Sequence, residues 1–329
     1  MLAAPLQFPT PRLIDLGAAS PLPVARYRFG VRMQQPLVLP PYAGGLLRGQ
    51  FGAALRHLDC TVSDGHCKPC HRYRTCAYPT VFDSPVPSGD PDASVPEIPN
   101  PYVIEPPGME TRRVAAGDLL VFHMVLIGGA LAHLSLIAAA WRRAFRLGLG
   151  RERSVGELES IEWQQQRGPA LSVWDPVTER ITPHEAHLVI PRFDTVGRID
   201  ISLRTPLRLQ QRGTFVDSNQ LRPAHLLAAI ARRASLLLHF HAGFAYTSHM
   251  SMCLRDVEAL RDQKALAWWD WTRYSSRQRR EMTLGGLLGQ WTIEGDITRW
   301  LPWLWLGERL HAGKNSTFGL GQFELRYRA

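Results

Sequence analysis

H-A-G-K-N-S-T-F-G-L-G-Q-F-E-L occupies His311 to Leu325, near the end of a chain of 329 residues. Three glycines, Gly313, Gly319 and Gly321, bracket a Lys-Asn-Ser-Thr run, and an apolar, strand-like run follows. Glycine permits positive φ and close backbone approach, so such a loop can turn its N–H groups inward as a cradle for an anion. Lys314 adds charge, and Asn315, Ser316 and Thr317 add short hydrogen-bonding side chains. This is not a Walker loop, in which the lysine follows the second glycine. A glycine-rich turn taken alone is more often a plain loop, so its meaning rests on what surrounds it.

Outward from the loop, Leu301–Leu310 predicts a short aromatic helix and Phe323–Arg328 a last strand. Gly197–Arg204 (G-R-I-D-I-S-L-R) alternates with the period of a half-buried strand. Pro223–His241 predicts a helix with proline in its first turn. Trp268–Tyr274 and Trp291–Asp296 read as strands, joined by basic Ser275–Glu281 and a glycine-rich link. The first half has the same order. Arg26–Gln34 predicts a strand and Gly44–Leu58 an amphipathic helix with Leu47, Phe51 and Leu55 on its apolar face. Tyr102–Glu105 and Asp118–Leu126 predict strands and Ala130–Leu147 a helix. Glu157–Gln166 and Ala170–Trp174 predict strands again, with a hairpin near Asp175–Val177. Strand, helix, two strands, helix, strand is the split βαβ, ferredoxin-like pattern. The expected fold is therefore α+β, with two tandem ferredoxin-like domains over 1–195 and 196–329.

Composition is that of a globular protein, 45% hydrophobic and 20% charged, with a formal net charge of +9. Arginine supplies most of the excess. Clusters such as Arg277, Arg279 and Arg280 suit bidentate phosphate contacts, and with ten tryptophans and eight tyrosines the balance leans towards nucleic acid. A GC-rich genome would also raise arginine. Met1–Pro11 lacks a basic stretch followed by an apolar core, so no secretory leader is expected. Val121–Ala140 is nearly all apolar, but Gly128-Gly129 divides it and His123, His133 and Ser135 interrupt it. A buried strand followed by a buried helix is expected there rather than a membrane span.

Four of the five cysteines fall in C-T-V-S-D-G-H-C-K-P-C-H-R-Y-R-T-C, within a loop at 59–78. An odd cysteine count without an export signal points to a reducing, cytoplasmic setting. The spacing C-x6-C-x2-C-x5-C over Cys60, Cys67, Cys70 and Cys76 fits one structural, tetrahedral zinc. Four reduced thiols, or an iron–sulfur cluster, are the other readings.

An ordered set of motifs runs along the chain: G-L-L-R, C-A-Y-P-T-V-F, Y-V-I-E-P-P and T-P-L-R-L at Thr205–Leu209. W-x-W-x-R-Y-S-S-R-Q at Trp269–Gln278, L-G-G-L-L-G at Leu284–Gly289 and L-G-E-R-L-H-A-G-K-N-S-T-F-G-L-G at Leu306–Gly321 complete it. Together they resemble the CRISPR precursor-RNA processing endoribonucleases, the sixth Cas family, within the RAMP superfamily. The resemblance implies RRM-like domains in tandem, with the glycine-rich loop (311–321) before the final strand. It implies binding of CRISPR repeat RNA and one cut per repeat, by attack of the 2′-hydroxyl to leave a 2′,3′-cyclic phosphate and a 5′-hydroxyl. No catalytic metal is then required. Other Cas proteins are possible partners, and a non-catalytic subunit holding guide RNA is the alternative. His57 is the expected proton-transfer residue, because histidine titrates near neutrality and several relatives place theirs on or just after this helix. Tyr42 would orient the scissile group and His311 is the second candidate. Arg48, Arg56, Arg277, Arg279, Arg280, Lys314, Asn315 and Ser316 are the expected RNA contacts.

Overall fold

A computed structural model of the protein describes residues 12–16, 21–61, 67–85, 97–246, 248–249, 257–270, 272–275 and 280–327. The first half runs β1 (Val24–Met33), α1 (Gly44–Asp59), β2 (Tyr102–Glu105), β3 (Leu119–Ile127), α2 (Leu134–Arg146) and β4 (Gly156–Gln164). The second runs β5 (Arg198–Leu207), α3 (Pro223–Ala242), β6 (Arg261–Trp269), β7 (Gly286–Glu294), α4 (Leu301–Leu310) and β8 (Phe323–Tyr327). The sheets are antiparallel, ordered β2-β3-β1-β4 and β6-β7-β5-β8, with Leu171–Ser172 added beside β4. Both are the ferredoxin-like order. It arises because each helix returns the chain to the same face of the sheet.

Period-2 alternation sends Tyr27, Phe29 and Val31 of β1 onto one face, where they pack with Phe51 of α1 and Trp141 of α2. The other face is divided. Val24, Val103 and Val125 join the core of the second half, against α3 and α4. Arg26, Glu105 and His123 share that side as a polar patch, in register across three strands: Glu105 lies opposite His123, and Arg26 opposite Val125 and Gln164. The first sheet is thus covered on both sides, its own helices on one and the second half on the other.

Several expectations shift. The helix expected over Ala130–Leu147 opens as a 3-10 turn, Gly128–His133, before α2 begins at Leu134. The strand expected at Trp268–Tyr274 divides: β6 starts at Arg261, and Thr272–Ser275 turns away to pair with Arg280–Thr283. β6 is an edge strand exposed along most of its length, so no hydrophobic alternation marks it. Leu284–Gly289 is not a link but the entry to β7, where Gly289, at φ 128, passes under the Ala265 carbonyl. The short helix Ala77–Phe82 had no periodicity to announce it. No helix among the described residues is long and apolar enough to cross a membrane.

Candidate functional site

T-P-L-R-L, at the end of β5, lies along the glycine-rich loop and shapes it. The Thr205 hydroxyl donates to the Gly319 carbonyl (2.7 Å) and accepts the Gln322 N–H (2.8 Å). Gly321 N–H donates to Pro206 O (3.0 Å) and Lys314 N–H to Arg208 O (2.8 Å). Ala312, Phe318 and Gly319 N–H groups also donate to carbonyls of the loop itself. Five loop amides are therefore committed to protein oxygens. The expected amide cradle for an anion can therefore draw only on loop amides outside these five, together with the side chains. Lys314 is exposed and Asn315, in the left-handed region at φ 64, is half-buried. Ser316 is buried, its hydroxyl donating to Gly313 O at 3.0 Å.

From the first half, three separated stretches close on the same loop. Gly44, at the start of α1, is close enough that a Cβ there would lie 2.0 Å from Phe318 O. The Arg48 guanidinium sits between two rings, 4.2 Å from Phe82 and 4.7 Å from Phe318. A Cβ on Gly319 would lie 2.5 Å from Ile104 O, at the end of β2. Tyr42 is wholly buried and its hydroxyl donates to Phe318 O at 2.6 Å. Burial, and then the charge of Glu105, push its phenol well above the ordinary value.

His311 is also wholly buried. Its ring meets Leu320 O through Nδ1 and Glu105 Oε1 through Nε2, both at 3.2 Å. Both partners accept, so both contacts exist together only when each ring nitrogen carries hydrogen. Its backbone, at φ 60 and ψ 161, lies in a region that only glycine populates readily, at a cost of about 1–3 kcal/mol. Glu105 accepts in turn from Arg26 Nε at 2.7 Å. Burial alone would raise the Glu105 carboxyl; the His311 hydrogen bond and the Arg26 charge outweigh it and hold it at about 2. Burial, and then Arg26, bring neighbouring His123 down to about 4.

The residues expected to act together thus fall into two groups. Tyr42, Arg48, His311, Lys314, Asn315 and Ser316 meet at the loop. His57 and Arg56 lie in the last turn of α1, thirteen residues beyond Gly44, or ~20 Å at 1.5 Å per residue. His57 is exposed; Arg56 is half-buried, its guanidinium 5.8 Å from the Tyr78 ring. Tyr42 and His311, both expected to act in catalysis, are wholly buried, and their polar atoms are engaged by Phe318 O, Leu320 O and Glu105. Arg277 and Arg279 lie outside the described residues, and Arg280 opens the strand that pairs with Thr272–Ser275. Sequence reasoning missed Thr205, Arg208 and Glu105. The signal for Glu105 was there, a carboxylate closing the apolar strand Y-V-I-E.

The cysteines cluster near His57. Cys60 closes α1, Cys67 and Cys70 share a turn (Cys70 N–H to Cys67 O, 2.9 Å), and Cys76 precedes Ala77–Phe82. The Cys76 thiol donates to Asp59 Oδ2 at 2.7 Å; burial, and then that carboxylate, push it up to about 11. Among the described residues no group of three or more His, Cys, Asp or Glu side chains is arranged to hold a metal ion. The zinc set expected from the spacing is not assembled here, with Cys76 turned to Asp59.

Residues 201–323 match the family model of the CRISPR-associated endoribonuclease Cas6, and residues 22–186 match one described as an N-terminal domain. No curated protein matches the chain in sequence. Among solved structures, a partial Cas6-RT-Cas1–Cas2 complex is similar over 95% of this chain, at 14% identity and a TM-score of 0.56. The chain spans 47% of that protein's length and 30% of its counterpart in a Cas6-RT-Cas1–Cas2 complex. A Cas6 product complex is similar over 92% of this chain and 99% of its own, at 14% identity and a TM-score of 0.53. Thermus thermophilus Cas6 is similar over 94% and 100%, at 13% identity and a TM-score of 0.50. At such identities the likeness establishes the fold, two ferredoxin-like units in tandem.

Proposed function

We propose, from the match of residues 201–323 to the family model of the CRISPR-associated endoribonuclease Cas6, that the chain is a member of that family, binds CRISPR repeat RNA and cuts it to release guide RNAs. The observation that carries the reading is the glycine-rich loop, rigidly built at the junction of two ferredoxin-like sheets with Lys314 presented to solvent. Lys314 and Asn315 contact the RNA backbone, and Arg48, held against Phe318, supports the loop. In the reaction the RNA's own 2′-hydroxyl loses its proton to a base and attacks the adjacent phosphorus. The bond to the 5′-oxygen breaks, and that oxygen takes up a proton. A 2′,3′-cyclic phosphate and a 5′-hydroxyl result.

His57 is the proposed proton-transfer group, with Arg56 beside it to offset charge developing on the phosphate. Lying ~20 Å from the loop, it would meet a different nucleotide of the bound strand, so the loop grips RNA away from the cut. The buried state of His311 favours a second reading, an RNA-holding subunit without cleavage, because the loop then presents no histidine to the RNA. Incubating the purified protein with the repeat RNA encoded beside its gene, in EDTA, separates the two. A discrete cut with a cyclic phosphate end supports the enzyme, and tight binding without cleavage supports the subunit.

For the cysteine loop, four thiols within seventeen residues support one structural zinc, whose binding would draw the Cys76 proton off and its sulfur from Asp59. Metal analysis of protein purified without chelator is expected to find about one zinc per chain. Well under one would leave the loop as four thiols.

A further inference from the structure

Glu105 has no part in the reaction as proposed, yet it is the most deeply committed carboxylate near the site. It closes Y-V-I-E-P-P, is 4% exposed, and reaches out of the first sheet to a residue 206 positions later in the chain, His311. There it meets the one loop residue whose backbone, at φ 60 and ψ 161, takes a glycine-only conformation without being glycine. Strain of this kind persists only where the surroundings over-determine it. Here the surroundings are the two ring contacts of His311, one to Leu320 O inside the loop and one to Glu105 outside it. Arg26 fixes Glu105 with Nε and Nη2, each 2.7 Å from Oε2, and binds Gln164 of β4 on its other side. Tyr42 makes the second tie, to Phe318 O at the loop's far end.

We propose that Glu105, with Tyr42, is a positioning residue that sets the glycine-rich loop from the first sheet, so that Lys314 and Asn315 are held where RNA is gripped. Neither residue touches RNA; both act through the loop. The two ties bracket the exposed segment: His311 anchors its start and Phe318 its end. The Y-V-I-E-P-P motif of the first half and the glycine-rich motif of the second are then two parts of one device. The proposal rests on the RNA-binding reading of the loop for its consequence, but not for its mechanics.

The mechanics are tested by hydrogen exchange of the bonded loop amides Ala312, Lys314, Phe318, Gly319 and Gly321 in the whole protein, with Glu105→Gln and, independently, Tyr42→Phe. Exchange at these amides is expected to quicken at least ~10-fold while β1 and β5 keep their wild-type protection, the sign of local opening. Unchanged exchange in both variants overturns the proposal. So does equal acceleration of loop and strands, which would make the residues merely stabilising. If Glu105→Gln does not fold, Tyr42→Phe, which removes a single hydroxyl, decides by the same readout. The consequence is tested by repeat-RNA affinity in a cycle with Lys314→Ala. Glu105→Gln is expected to weaken binding ~5–10-fold alone and less than ~2-fold when Lys314 is already gone, since residues acting through one contact are not additive. Full additivity counts against the device. A wild-type protein that binds no repeat RNA refutes the function proposed above, and the exchange result still decides the positioning role.

Discussion

At the scale of single residues, exposure separates the candidates. His57 faces solvent while His311 is wholly enclosed, so of these two His57 is the one accessible to a bound strand. His57→Ala is expected to slow single-turnover cleavage by about 10²–10⁴-fold, the usual worth of a general acid or base, with an unchanged melting temperature. Cleavage at the wild-type rate by folded His57→Ala would end its candidacy. Lys314 is exposed and its backbone N–H is already used, so its side chain alone remains for a phosphate. Lys314→Ala is expected to weaken repeat-RNA binding and to lower the slope of log affinity against log salt by about 1. Sequence could propose both residues from their chemistry. It could not rank His57 over His311, because burial depends on what the other half of the chain brings.

The glycine-rich loop and its flanking motifs are legible at the scale of elements as a turn before a last strand, and the structure bears that out. What the turn does was not legible. Gly321, at φ 75, would place a Cβ 1.8 Å from Ala312 O, whereas Gly168, at φ 92, has open space around it. Gly321→Ala adds a backbone clash to left-handed strain, about 3 kcal/mol or more together; Gly168→Ala carries the strain alone, about 1 kcal/mol. Thermal melts are expected to show a fall of roughly 10 °C for the first and a few degrees for the second. Similar small shifts for both would mean that the loop has room to relax. The two-strand ribbon Leu37–Leu39 with Arg112–Val114 illustrates the limit of local reading, since its partners are too short and too far apart to announce each other.

For the whole molecule, the contact between halves includes acid-sensitive groups beside its apolar core. His123 is held at about 4 by burial and Arg26, and His241, whose Nε2–H donates to Pro99 O at 2.8 Å, is likewise brought to about 4 by burial first. A histidine with a depressed folded value leaves the unfolded chain binding more protons below the ordinary 6.5, so stability is lost as pH falls from there towards 4. Glu105, held at about 2 in the folded chain, contributes stability that is complete above its ordinary carboxylate range and lost as pH falls through about 2. Its shift corresponds to something of the order of 3 kcal/mol. Urea midpoints are therefore expected to decline from pH 6.5 downward, with Glu105→Gln flattening only the limb below about 4.5. A flat profile from pH 6.5 to 4 would show that the two histidines are not held neutral.

By itself, the sequence determined the α+β class, the doubled strand–helix–strand–strand–helix–strand order and the motif set that resembles the Cas6 endoribonucleases. Periodicity and turn chemistry are local, and each helix or strand carries its own record of them. Only the tertiary structure decided which residues share a site. Glu105 and His311 are joined across 206 positions, while His57 and Tyr42, neighbours in sequence, lie at opposite ends of one helix. Such pairings follow from how two sheets dock, and docking is settled by the summed fit of buried surfaces rather than by any pattern along the chain.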